Sequence, residues 1–304
     1  MLRPHDTFFK KLMSNPENVK DFLANFLPED LRNIIDFTSI KIIDTEKLDR
    51  KYKKYYLDLS VECRLRKSKS QIYIVFEHKS YPDKLTLIQV LNYCSVIWEN
   101  NLRNNEKLIP IIPLIFYHGK RKFDLPTKFI EYFEIEEEIK RYLLNFEVIL
   151  FDLNKVEEEE LMKVSRNVYL LSGLLMMKHI FSGIDEIKEV FRKVIQIDKE
   201  SFLMVLEYLV MSKDIEEEEL EEIIKEVGGE DMPSLAERWI QQGLVQDAKE
   251  MVVEAYKVKF GKIDRRFKSC IERLNDRNKL KRILQEIIKA KDMKEVEEIF
   301  ERLS

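Results

Sequence analysis

Two carboxylates and a lysine stand close together in this chain: Asp58, then Glu77 nineteen positions later, with Lys79 two beyond it. Their types suit phosphodiester hydrolysis. Hard carboxylate oxygens hold Mg²⁺ or Mn²⁺, which polarises a phosphoryl group and lowers the pKa of a bound water, while an ammonium orients that water or offsets developing charge. His78 lies between the two and looks like an acid–base group. A surface ion pair across two strands would read the same way. The context favours a site, because Glu77 ends the strongly apolar run Ile72 to Phe76, where a solvated ion pair is out of place.

The elements that must position these groups are two strands. Residues Tyr52 to Leu65 alternate, with Leu57, Leu59, Val61, Cys63 and Leu65 on one face and Tyr56, Asp58, Ser60, Glu62 and Arg64 on the other. Gln71 to Glu77 reads as a strand buried on both faces. If Ser68 and Lys69 form the turn, Lys67 pairs with Ser70, Asp58 lies opposite Lys79, and Ser60 lies opposite Glu77. Asp58, Glu77 and Lys79 then share one sheet face. A bulge or an odd-length loop would shift the pairing by one. The same alternation turns the His78 side chain away and leaves its backbone carbonyl near the metal position, which makes the ring structural.

Around this hairpin the pattern predicts an α/β domain with a mixed sheet. Helical spacing from Phe8 to Phe26 breaks near Asn15-Pro16, with Asp6 placed as an N-cap. Strands are expected over Phe37 to Ile43, Leu108 to Tyr117 and Phe146 to Leu153, and a helix opens at Pro82-Asp83 and runs to about Leu102. Ser80 would cap the corner before that helix. After Leu153 the strand signals stop. Helical patterns cover 157–181, 184–195, 199–212 and 215–227, then a last region with a break near Phe260-Gly261-Lys262. The domains expected are therefore 1–155 (α/β), 156–230 (a helical extension) and 231–304 (a helical tail). The tail's apolar stripe, Ile271, Leu274, Leu280, Ile283, Leu284 and Ile287, offers a route to a homo-oligomer.

Net charge is −4 with 36% charged residues, so local charge must identify a polyanionic partner. Around the proposed site Lys51, Lys53, Lys54, Arg64 and Arg66 are candidate DNA contacts. No helix-turn-helix or zinc finger stands out, so DNA binding without strong sequence specificity is expected. Cys63, Cys94 and Cys270 have no CxxC spacing and suggest neither disulfides nor a thiol zinc site. The first residues, MLRPHDTFFKKL, do not read as a secretion signal, and no apolar run reaches the roughly 20 residues of a membrane span. A cytoplasmic protein is expected.

With Gln89-x-x-x-Tyr93 on the following helix, the Asp58…Glu77-x-Lys79 pattern resembles the PD-(D/E)XK nuclease superfamily. Gln89 and Tyr93 are one helical turn apart and can reach one site. More specifically, Pro4-His5-Asp6-x-x-Phe9-Lys10, Glu77-His78-Lys79-Ser80 and Phe116-Tyr117-His118-Gly119 resemble the Rpn family of recombination-promoting nucleases, long labelled YhgA-like transposases. The resemblance covers about residues 3 to 155 and, more loosely, the helical tail. It implies a restriction-endonuclease-like core and a Mg-dependent DNA endonuclease. Asp58 and Glu77 would bind the metal with the His78 carbonyl, Lys79 would assist the attacking water, Gln89 would position substrate or water, and Tyr93 is a further nucleic-acid contact candidate. Many members carry Gln at the position of Lys79, so this chain is nearer the wider superfamily pattern. No Asp-Asp-Glu arrangement for strand transfer is present. A non-catalytic interaction module that keeps the fold is the alternative.

Overall fold

In the computed structural model, residues 4–43, 58–195, 199–213, 215, 217–227, 245, 248–257, 259–261, 265–274 and 276–290 are described. Three helices, α1 (Pro4–Met13), α2 (Pro16–Phe26) and α3 (Glu29–Ile34), precede β1 (Ile35–Ile43). The break between α1 and α2 follows from local chemistry. Asn15 caps α2 by accepting the Glu17 N–H, and Pro16 occupies the first turn, where no amide donor is missed.

The sheet runs β1-β2-β3-β4-β5, with β2 (Leu59–Leu65), β3 (Gln71–Lys79), β4 (Ile111–Tyr117) and β5 (Ile149–Asp152). The first three strands are antiparallel and the last two join β3 in parallel. A parallel neighbour needs a crossover, supplied after β3 by α4 (Thr86–Arg103). The α/β fold with a mixed sheet is thus as the sequence pattern implies.

The β2–β3 register is not. Observed pairs are Leu59 with Phe76, Ser60 with Val75 and Glu62 with Tyr73, two residues away from the expected pairing. The turn lies earlier than Ser68-Lys69 would place it. Leu65 N–H bonds the Ser70 carbonyl, and Lys69 N–H returns to the Leu65 carbonyl with Lys69 at φ 58°. The loop is therefore Arg66 to Lys69, and the next position outward sets Asp58 level with Glu77 rather than Lys79. A shift of two preserves strand parity, so the shared face survives the error.

Both sheet faces are covered. On one, Leu87, Val90, Tyr93, Cys94 and Ile97 of α4 pack on Val75, Ile115 and Tyr117. On the other, Phe9 and Phe22 meet Phe76 and Phe116, and Phe22 meets Phe151, with ring centroids 4.8–6.5 Å apart. That burial on both sides explains the continuous apolar runs of β3 and β4.

Beyond β5, the expected helix 157–181 is interrupted. Short turns end at Val164, and Asn167 then caps a new helix, α5 (Val168–His179), by accepting the Leu170 N–H. Helices α6 (Ile184–Ile195) and α7 (Lys199–Ser212) follow. The compact unit containing the sheet runs to Glu216, not to 155. Its cause is visible in α1: Phe8 stacks on Tyr208 of α7 at 3.9 Å, and Lys11 pairs with Glu207.

The second unit spans Glu217–Ser304 and includes α8 (Glu217–Val227), α9 (Arg265–Arg273) and α10 (Arg277–Lys289). Ile271, Leu280, Ile283 and Ile287 are buried in that unit's own core against Val252, Tyr256 and Phe267. The helical run ends at Gly261 with φ +84°, a conformation that favours glycine. Among the described residues no helix is long and apolar enough to cross a membrane.

Candidate active site

The carboxyl end of β3 and the start of β2 open into a cavity of about 770 Å³, lined among others by Asp6, Lys10, Asp58, Glu77, Lys79, Gln89 and Tyr93. Strand alternation carries Glu77 and Lys79 to the face covered by α4. From there Gln89 and Tyr93 point back at them, as two positions one turn apart should.

Lys79 is the hub. Its ammonium donates to Gln89 Oε1 at 2.7 Å, lies 2.9 Å from Glu77 Oε1 and 3.6 Å from Asp83 Oδ2. Burial alone would pull its pKa down, but the charge and hydrogen bond of Glu77, with Asp83, outweigh burial and raise it. Lys79 is therefore a held cation rather than a base.

Asp58 is gripped from two elements. One carboxylate oxygen accepts the backbone N–H of His78 at 2.9 Å, and the other lies 3.2 Å from Lys10 Nζ of α1. Glu77 is 5% exposed, and its Oε2 has no hydrogen-bond partner among the described residues. Burial first, then the negative charge of Asp58, push the Glu77 carboxyl up to about 7, against the opposing pull of Lys79 and the Tyr93 hydroxyl. Burial raises the Tyr93 phenol too, with Glu77 and Asp58 adding to it. Two hard carboxylates, one with a buried oxygen that has no partner among the described residues, fit a divalent cation that keeps most of its waters. No cluster of three or more His, Cys, Asp or Glu suited to a metal occurs among the described residues.

His78 faces the other way. Its ring stacks between Phe9 and His118, with centroids at 4.8 and 4.9 Å, while Nδ1 lies 2.9 Å from Asp6 Oδ1 and Nε2 lies 3.1 Å from His118 Nδ1. Asp6 is not an N-cap. Helix α1 begins at Pro4, which puts Asp6 inside the first turn with its carboxylate on His78. Asp6 and Lys10 are four apart on one helix face, a spacing visible in the opening motif that could have flagged both.

The Phe116–Gly119 motif is explained by packing. His118 N–H donates to the Lys79 carbonyl at 3.2 Å, binding the two strand ends together. A Cβ on Gly119 would collide with the Tyr117 hydroxyl and the Ser80 carbonyl, so only glycine lets the corners meet. The turn before α4 is held by Asp83, which accepts the Leu85 N–H on its side chain and the Thr86 hydroxyl on its carbonyl.

The proposed DNA-contact cations divide differently. Lys51, Lys53 and Lys54 lie outside the described residues. Arg64 and Arg66 stand at the turn end of the hairpin, about 20 Å along β2 from Asp58. Arg66 Nε is engaged there with the Ile35 carbonyl at 2.8 Å. The structure brings neither to the cavity, whereas it does bring Lys10.

A five-stranded mixed sheet flanked by helices and followed by helical segments, with Asp58, Glu77 and Lys79 at one strand end, is consistent with a PD-(D/E)XK-like α/β core. The chain belongs to the family described as "Putative transposase, YhgA-like", whose model matches residues 3–204. It is similar to "Recombination-promoting nuclease RpnD" of Escherichia coli O157:H7, 29% identical over 58% of this chain and 68% of that protein. It is also similar to two proteins of Escherichia coli K12. "Recombination-promoting nuclease RpnC" is 24% identical over 79% of this chain and 82% of its own length, and "Inactive recombination-promoting nuclease-like protein RpnE" is 28% identical over 58% of each. The chain thus spans little more than half of RpnE. No solved structure matches it.

Proposed function

We propose that this protein is a metal-dependent endodeoxyribonuclease that hydrolyses phosphodiester bonds without strong sequence preference, in the setting of recombination, mobile DNA or defence. The observation that carries the reading is the convergence of Asp58, Glu77, Lys79 and Gln89 on one cavity, with a buried carboxylate oxygen of Glu77 left without a partner among the described residues.

Asp58 and Glu77, with the His78 carbonyl, would hold Mg²⁺ or Mn²⁺. Such an ion supplies a water of lowered pKa and a Lewis acid for the phosphoryl oxygens. The chain's own groups do the rest. Lys79, kept charged by its carboxylate neighbours, stabilises negative charge that builds on the phosphorane and orients the attacking water. Gln89 fixes the ammonium by accepting one of its hydrogens and leaves its amide N–H groups to meet substrate. Lys10, 43% exposed on α1, is placed to contact a backbone phosphate.

Self-association through the C-terminal helices would have to use surfaces other than the buried stripe of the second unit. Substrate DNA and a cytoplasmic location belong to the same proposal.

A non-catalytic module that keeps this fold is the second reading, favoured by the relative named as inactive. One assay separates them. Supercoiled plasmid incubated with the protein and Mg²⁺ or Mn²⁺ is expected to be nicked, with loss of nicking in EDTA and in Asp58→Ala. Nicking that persists in Asp58→Ala, or none with either metal, overturns the nuclease reading.

A further inference from the structure

The helical segment after β5 contributes a hydroxyl to the back of the site. Tyr208 of α7 is 1% exposed, and its Oη lies 2.7 Å from His5 Nδ1 and 3.3 Å from His118 Nε2. With the His118–His78 and His78–Asp6 contacts, five side chains form one unbroken line: His5, Tyr208, His118, His78, Asp6.

Taking His78 as neutral, donor counting orients the line. The Asp6 carboxylate only accepts, so His78 Nδ1 carries a proton. A neutral His78 then accepts at Nε2 from His118 Nδ1–H, and the bare Nε2 of His118 accepts the Tyr208 hydroxyl proton. Tyr208 in turn accepts from His5 Nδ1–H. Every link is satisfied with all three imidazoles neutral and in the same tautomer.

The line ends where the candidate chemistry begins. The peptide of His78 holds Asp58 through its N–H and is bonded directly to Glu77, and the peptide of His118 holds the Lys79 carbonyl. We infer that Tyr208 is a positioning residue: by fixing the His118 tautomer it locks the His78 ring, and so the β3 end that grips Asp58 and presents Glu77 and Lys79. This rests on the nuclease reading for its catalytic consequence, but its structural content stands independently. It also makes the helical segment up to Glu216 part of the site rather than an appended regulator.

The test is Tyr208→Phe in the full-length protein, which removes the hydroxyl and keeps the ring stacked on Phe8. Three readouts are expected to move. The ¹⁵N spectrum of the His118 ring loses its single tautomer. Hydrogen exchange of the His78 amide quickens about tenfold while that of Ile74, further up β3, does not. Plasmid nicking loses about tenfold in kcat with KM within twofold, the scale typical of groups that hold a catalytic ligand from behind. A merely structural tyrosine would lower the melting temperature and leave the tautomer, the selective exchange change and the kcat–KM split untouched, and that result overturns the inference. So does a wild-type His118 protonated on Nε2. If the wild type nicks nothing, the nuclease reading falls, while the imidazole spectrum and His78 exchange still decide the positioning role.

Discussion

Replacing Glu77 with Gln tests the electrostatic core of the site without any need for substrate. The Glu77 carboxyl sits at about 7, against an ordinary 4.5, chiefly because it is buried and because Asp58 repels its charge. A raised pKa means the folded protein binds this proton more tightly than the unfolded chain. The stabilisation is fully present below pH 4.5 and is lost as pH rises through about 7. The difference corresponds to roughly 3 kcal/mol. Gln keeps the shape and an acceptor for Lys79 but cannot ionise, so it removes that loss. In EDTA, chemical denaturation should show the variant gaining on wild type by about 2.5 kcal/mol between pH 5 and pH 8. For a domain of this size that is a rise of about 5–10 °C in relative melting temperature. Added Mg²⁺ should reverse the order at pH 8 by stabilising only the wild type. An equal difference between the two proteins at pH 5 and pH 8 would refute the assignment of a raised pKa, and with it the account of why the site attracts a cation.

Two other changes probe neighbouring parts of the argument. Gly119→Ala should destabilise the protein by about 1–3 kcal/mol, since the Tyr117 side chain or the Ser80 backbone must yield to the new methyl. Urea denaturation measures it, and an unchanged midpoint would contradict the packing of the two corners. Lys79→Gln should cut nicking by about 10²-fold while the fold persists, as loss of a single electrostatic donor does elsewhere. Retained full activity, measured on the same plasmid at pH 7 to 9, would remove Lys79 from the chemistry.

Much of this protein is legible locally. Alternation in Leu59 to Leu65 and in Gln71 to Lys79 places Asp58, Glu77 and Lys79 on one side and the His78 ring on the other. Because side-chain direction has a period of two, that conclusion survives a turn misplaced by one residue and a register displaced by two. The spacing of Gln89 and Tyr93 likewise needs only the geometry of one helix. The break at Asn15-Pro16 follows from a capping side chain and a missing amide.

Tertiary structure alone decided the rest, because the deciding partners are far apart in the chain. Asp6 reads as a helix cap until folding brings it to His78, 72 residues away. Tyr208 reads as one more core aromatic until it meets His5 and His118 across 203 and 90 residues. The helices after Leu153 read as a separate extension, yet an aromatic stack and a buried hydrogen-bond line fasten α7 to α1. Local sequence determines which way a side chain points, through the fixed periods of strand and helix. What it finds there is settled by burial and long-range contact, and that is where the unusual proton affinity of Glu77 and the hold on Asp58 arise.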